Sequence, residues 1–327
     1  MKYRTALLSL WALAPTAALA APLNFAPLVV GDSTPLMVNY GAPRAMAPAV
    51  LPPGQWQWQL SVDMGNTLHI EQDSRYGEQL VLDGETSRYN LALEYGLSED
   101  WDMRLDIPYV GYKGGSLDGF IDDFHAALGF PEGSRPGRAE DRFQLLYQRN
   151  GNTLLDASSA SGLGDPSLSV VRTVDSEYED SLSYGFSLKL PSDSDVSTQT
   201  RDIAVWASAA DWLAPNWLHY VSAGGVWVER DKGWLAELRK SGYGFLRYGV
   251  QWRVHPAVTL KLQADAQSAL FKQTNSRLLG HSSALAMGGT LQLAEHWQLD
   301  IAVVEDIDVA TTSDVVFHFN LRKRYGR

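Results

Sequence analysis

The chain has 327 residues, no cysteine and a formal charge of −11 at pH 7. The lack of thiols excludes disulfide staples and cysteine catalysis, and the acidic balance removes the basic footprint that a nucleic-acid partner requires. Eleven tryptophans and fourteen tyrosines are many for a soluble domain and suit a protein that sets aromatic rings at two membrane interfaces.

Met1 to Ala20 reads as a secretory signal peptide. Lys2 and Arg4 supply the positive start, Leu7, Leu8, Leu10, Trp11 and Leu13 a short apolar core, and Ala18-Leu19-Ala20 the small-x-small cleavage site. The core is too short to anchor the chain in a bilayer, and no later stretch approaches the ~18 apolar residues of a transmembrane helix.

Residues 21–54 are of another kind. Pro22, Pro27, Pro35, Pro43, Pro48, Pro52 and Pro53 fall here, a density that blocks both helix and ladder. Two readings stand: a periplasmic leader, or a plug folded into a lumen. Leu28-Val-Val and Leu36-Met-Val argue for the plug, because apolar pieces gain nothing in water; against it, Pro-rich leaders are often merely disordered, and the leader is the more expected of the two.

From Gln55 the hydrophobic period becomes two. Trp56, Trp58, Leu60, Val62 and Met64 alternate with Gln57, Gln59, Ser61 and Asp63, as expected of a strand that is apolar outside and polar inside. Further strands are predicted at about 88–97, 101–109, 165–175, 181–190, 202–213, 217–228, 243–254, 257–270, 281–293, 297–305 and 314–325. With the first that makes twelve, an even number, as a single-chain barrel with both termini in the periplasm requires. In 202–213 and 217–228 the inward face is ambiguous, since both faces carry apolar residues.

The insertion 113–164 is placed outside the cell, where membrane barrels carry their long loops. Within it, Ser116 caps a predicted helix over 116–129, with Leu117, Phe120, Ile121, Phe124 and Leu128 in one stripe. Arg142 to Ala157 reads as a hairpin around Asn150-Gly151; entry of 142–149 and 152–158 into the wall would raise the count to fourteen.

In the last strand Val315, Phe317, Phe319, Leu321 and Tyr325 share one face and Asp314, His318, Asn320, Arg322 and Arg324 the other. Pairing it with the first strand closes the sheet and removes both edges, which lipid demands. Barrels commonly end on the aromatic residue, whereas Gly326 and Arg327 follow here. The boundaries place Trp56, Trp58, Trp101, Trp212, Trp217, Trp252 and Trp297 near periplasmic strand ends, Trp227 and Trp234 near the outer rim, and Trp206 in mid-strand. A soluble sandwich has no reason to gather tryptophan at one end. The fold class is therefore an all-β, antiparallel transmembrane β-barrel over residues 55–327.

The segments Leu260-Lys-Leu-Gln-Ala-Asp-Ala-Gln-Ser-Ala-Leu-Phe271, Leu285-Ala-Met-Gly-Gly-Thr290, Ile301-Ala-Val-Val-Glu-Asp306 and Asp314-Val-Val-Phe-His-Phe319, with Asp118-Gly-Phe-Ile-Asp-Asp-Phe-His125 and Gly162-Leu-Gly-Asp165, resemble a proteobacterial outer-membrane family filed as domain of unknown function number 3187. Thr312-Ser313-Asp314 departs from that family's usual Ala-Pro-Asp and leaves the strand intact. The resemblance implies an exported barrel-like protein and transfers no catalytic residue.

The inward polar set comprises Arg88, Glu94, Asp102, Arg104, Asp106, Lys189, Arg247, Lys261, Asp265 and Asp300. Mixed signs on neighbouring strands pair across the ladder, and the plain reading is a salt-bridged lining; the functional one is a conduction path or solute constriction. The nearest approach to a catalytic constellation is His281, Ser283 and Glu305, with Leu285 expected opposite Glu305; its simpler reading is a loop-end His and Ser at the outer rim. Asp118, Asp122, Asp123 and His125 read as helix-start acids and not as a metal site. No cofactor or metal is expected. The expected function is a passive channel or uptake barrel for small or amphipathic solutes in the outer membrane. The alternatives are a closed structural barrel and an outer-membrane lipid hydrolase. Expected partners are outer-membrane lipids and lipopolysaccharide, the barrel-assembly machinery and a small solute.

Overall fold

The computed structural model describes residues 26–115, 119, 142–175, 181–230 and 232–326. The strands are β1 (Trp56–Asp73), β2 (Glu78–Gly96), β3 (Trp101–Lys113), β4 (Gln144–Arg149), β5 (Asn152–Ala157), β6 (Ala160–Leu163), β7 (Ser167–Asp175), β8 (Ser181–Lys189), β9 (Asp202–Ala214), β10 (Trp217–Val228), β11 (Gly242–His255), β12 (Val258–Gln267), β13 (Ser282–Ala294), β14 (Trp297–Asp306) and β15 (Val315–Tyr325). Every pairing is antiparallel. β1 pairs with β2 on one side and with β15 on the other, from Trp56↔Tyr325 to Asn66↔Val315, so twelve strands close into a ring without an edge.

The other three strands stand outside that ring. The β4–β5 hairpin pairs with Glu78–Asp83 of β2, beyond the part of β2 that meets β3, so the wall count is twelve and not fourteen. β6 pairs with Tyr109–Tyr112 of β3, and β7 joins β3 lower down, at Trp101–Asp106, after the break at Gly164-Asp165-Pro166. The predicted helix over 116–129, with Asp118, Asp122, Asp123 and His125, lies outside the described residues apart from Gly119.

The alternation holds around the wall. Leu60, Leu91, Leu93, Met103, Phe186, Leu246, Leu260, Leu262, Met287 and Ile301 face outward and are exposed, while Gln57, Gln59, Ser61, Asn90, Arg104, Arg247, Gln263, Asp300 and Asn320 face inward and are buried. Aromatic rings cluster where the turns are short: Trp56 stacks on Tyr325 at 4.1 Å, Trp217 on Trp252 at 5.0 Å, and Trp58 meets Trp297 edge-on at 5.5 Å. That is the girdle expected at a lipid interface. Trp234 departs from it: at the opposite end, it packs inward against Tyr112, 6.0 Å away.

β1 and β2 run well beyond the predicted 55–64 and 88–97. Their extensions, with β4 and β5, close over the long-loop end. Leu80, Leu82, Leu145, Tyr147 and Leu155 share one apolar cluster with Leu235, Leu238, Leu270, Phe271, Leu278 and Leu279 of the loops opposite. Glu78 fastens this roof, accepting hydrogen bonds from Tyr147 Oη (2.6 Å), Thr274 Oγ1 (3.2 Å) and the Asn275 amide (3.0 Å).

Most of residues 26–51 run inside the ring. Leu28, Val29, Val30, Leu36, Val38, Ala45 and Leu51 are buried there. Leu28 and Val30 pack on the inward Ala286, Ala302, Val304 and Val316 of β13–β15, and Leu36 joins the roof cluster.

Candidate solute pathway in the lumen

An inward side chain on a barrel has no lipid to dissolve in and no free water on most sides, so each polar one needs a partner. All ten residues of the predicted lining point inward, and the register brings most of them to a counter-charge. Arg104 donates to Asp106 through Nε (2.9 Å) and Nη2 (3.0 Å), and lies 3.8 Å from Glu94. Lys189 lies 2.8 Å from Asp165 and 3.1 Å from Asp202. Arg247 is 3.5 Å from Asp265, and Lys261 is 3.2 Å from Asp300. Asp102 is buried beside Glu94.

Several partners in this network were absent from the predicted set. Asp63 stands between His318 and Arg88 in register; His318 Nδ1 is 2.6 Å from its Oδ1 and Arg44 Nη1 is 3.1 Å from its Oδ2. Asp300 also accepts from Asn320 Nδ2 (3.0 Å), Arg322 and Thr290. Strand parity already placed Asp63, His318 and Arg322 on the inward face. Arg44 carries no such signal, because it sits in a Pro-rich segment with no period.

The lining is not uniformly polar. On β9–β11 the inward face carries Trp206, Tyr220, Tyr243 and Phe245, all buried. This resolves the ambiguous parity of 202–213 and 217–228: both faces are apolar because the lumen itself is aromatic there. Cross-strand glycines make the room. A Cβ on Gly185 would lie 2.0 Å from the Trp206 ring and one on Gly249 2.3 Å from the Tyr220 ring, and each glycine is the direct partner of that aromatic residue.

Residues 26–51 enter no wall ladder, and several of their backbone groups take wall side chains instead. The Leu28 amide donates to Gln263 Oε1 (3.0 Å), the Gly41 amide to Asp202 Oδ2 (2.8 Å) and the Ala42 amide to Tyr243 Oη (3.0 Å). Lys261 Nζ donates to the Ala26 carbonyl (2.6 Å), and Thr173 Oγ1 to that of Pro48 (2.9 Å). Arg239 donates to Tyr40 Oη at 3.0 Å, yet burial still pushes the Tyr40 phenol above its ordinary pKa. Burial likewise raises the Asp32 carboxyl, against hydrogen bonds from the Thr34 amide (2.9 Å) and hydroxyl (2.8 Å).

Cavities border this segment among the described residues. One is lined by Tyr40, Arg44, Arg88, Arg104, Asp106 and Lys189 among others. Another, toward the roof, is bordered by Leu36, Tyr40, Tyr112, Trp234 and Phe271. Asn39 and Tyr40 line both.

The structure does not bring the catalytic candidates together. Leu285 does pair with Glu305. His281, however, is exposed, with Nε2 3.2 Å from Asp308, and among the described residues no hydrogen bond or ion pair joins it to Ser283 or Glu305.

Among solved structures, the COG4313 outer membrane channel from Pseudomonas putida F1 superposes with a TM-score of 0.57 at 12% identity, covering 85% of this chain and 97% of that one. That likeness is one of fold. The Ralstonia pickettii toluene transporter TbuX gives 0.43 at 8% identity over 84% and 90% of the two chains, and the KdgM porin in complex with oligogalacturonate gives 0.43 at 5% over 84% and 99%. A comparison with curated proteins returned no match. One family model, described as Protein of unknown function (DUF3187), matches residues 6–325, and the chain is therefore a member of that family.

Proposed function

We propose that the protein is a channel of the bacterial outer membrane, exported with cleavage after Ala20, which admits small or amphipathic solutes when residues 26–54 leave the lumen. The observation that carries this reading is how those residues are held. They bind the wall through side-chain hydrogen bonds, one ion pair and apolar contacts, so their departure breaks no strand pairing of the ring. The outward apolar belt and aromatic girdle support the membrane address, and the short turns support a periplasmic position for both ends of the wall. A second reading, a closed barrel that organises the envelope, draws support from the roof cluster.

Planar-bilayer recordings separate the two. The refolded full chain is expected to give infrequent openings, and the chain lacking residues 26–51 a steady current. Silence from both, with each migrating as a folded barrel on unheated gels, would leave the closed barrel standing and refute the channel.

A further inference from the structure

We infer that the first lumen cavity is a binding site for a small organic anion, with its carboxylate at Arg88 and Arg44 and its apolar body toward the roof. The inference rests on the channel reading only in that it names what that path would carry; the site itself is independent of conduction.

Charge is the first ground. The cavity is lined by four cations, Arg44, Arg88, Arg104 and Lys189, and two acids, Asp106 and Asp165. Both acids are already committed. Asp106 accepts two hydrogen bonds from Arg104 and one from Asn90 Nδ2 at 2.8 Å. Asp165 accepts from Lys189 (2.8 Å), the Ser192 amide (3.0 Å) and the Thr198 amide (3.0 Å). Arg88 makes no ion pair with either acid among the described residues; Asp63 and Asp106 act on it only through space.

The second ground is the set of donors left over. Arg88 is 7% exposed, and its sole hydrogen bond among the described residues is from Nη2 to Asn90 Oδ1 at 3.2 Å. Its Nε and Nη1 are buried without a hydrogen-bond partner, as is Arg44 Nη2. Unmatched guanidinium donors inside a protein are costly. Nε and Nη1 of one guanidinium form no shared edge, so the carboxylate takes one of them, and the neighbouring Arg44 donor supplies a further hydrogen bond of the charge-assisted kind.

The third ground is what lies next to the charge. Val38, Pro43, Met46 and Pro108 border the same cavity, and Asn39 and Tyr40 also border the second cavity, with its Leu36, Tyr112, Trp234 and Phe271 lining. An inorganic anion would use the arginines alone. A carboxylate with an aromatic or aliphatic body also meets this apolar border.

The test is calorimetric titration of the full chain in detergent at low ionic strength, with benzoate and hexanoate, their uncharged amides, and inorganic phosphate as probes. Both carboxylates are expected to bind at least about tenfold more tightly than their amides and more tightly than phosphate. Arg88→Gln and, separately, Arg44→Gln are expected to lose that preference, while Arg277→Gln, at an exposed loop position, keeps it. Arg44 stands outside the wall, so its variant reports even if Arg88→Gln fails to fold. Equal binding of carboxylate and amide, tighter binding of phosphate, or an unchanged preference in Arg44→Gln would overturn the inference. Carboxylate binding by a barrel that never conducts would sink the channel and leave the site; a current with no carboxylate preference would do the reverse.

Discussion

Asp300→Asn is expected to destabilise the barrel by about 3–5 kcal/mol, the cost of removing one member of a buried ion network. Asp300 is fully buried, and it answers two cations, Lys261 and Arg322, as well as Thr290 and Asn320. The asparagine keeps the shape and one acceptor but removes the only acid among the described residues that either cation is paired with, so two buried charges lose their partner at once. Thr290→Val, which removes a neutral donor from the same carboxylate, is expected to cost only about 1 kcal/mol. Urea unfolding in lipid vesicles, followed by tryptophan fluorescence, measures both. A difference of less than 1 kcal/mol between the variants would mean that the network is hydrated and that the lumen at this level is open to water.

Leu262→Arg is expected to be nearly as damaging, for the opposite reason. Leu262 lies mid-strand on the outer face and is 49% exposed. On a soluble protein such a residue accepts arginine within about ±0.5 kcal/mol. Facing a bilayer midplane, the guanidinium costs about 2–4 kcal/mol, falling to about 0–1 near the interface. Leu293, 55% exposed but beside the short turn after β13, supplies the control: Leu293→Arg is expected to be close to neutral. Equal, small effects at the two positions would contradict a lipid-facing belt.

The wall was legible in the sequence because its two faces meet solvents of opposite character. Leu260 and Leu262 against Lys261 and Gln263 spell that difference residue by residue, and the observed β12 follows it. The same rule fails where both faces meet protein. From Leu80 to Thr86 every residue is buried, because the β2 extension is roofed by loops and flanked by β4, so the chain there has no alternation to read. It also fails at Trp206 and Tyr220, whose faces are apolar outside and aromatic inside. The glycines opposite them were the available clue, since Gly185 and Gly249 are the cross-strand partners those rings require.

The lining was legible as a list of inward charges, but not as a network. Which acid answers Lys189 depends on Asp165, located in the break between β6 and β7, and on Asp202 at the top of β9. Neither is fixed by alternation alone. The course of residues 26–54 was less legible still. Their apolar pieces argued for burial, but only the folded wall shows that Arg44 reaches Asp63 and that Gly41 and Ala42 meet Asp202 and Tyr243. A segment with no period takes its path from the surface it lies on.

The central claim is that residues 26–54 close a solute path and open it by leaving. The chain has no cysteine, so a single engineered disulfide can hold the segment in place. A Cβ on Gly65 of β1 would stand 3.2 Å from Ser33 Cβ, just under the ~3.5–4.5 Å usual across a disulfide, and β1 is wall while Ser33 belongs to the segment. Single-channel current through the Ser33→Cys, Gly65→Cys protein, recorded before and after adding a reductant, is the most direct measurement. The account predicts silence while the tether is oxidised and openings once it is reduced. The same current in both states would contradict it.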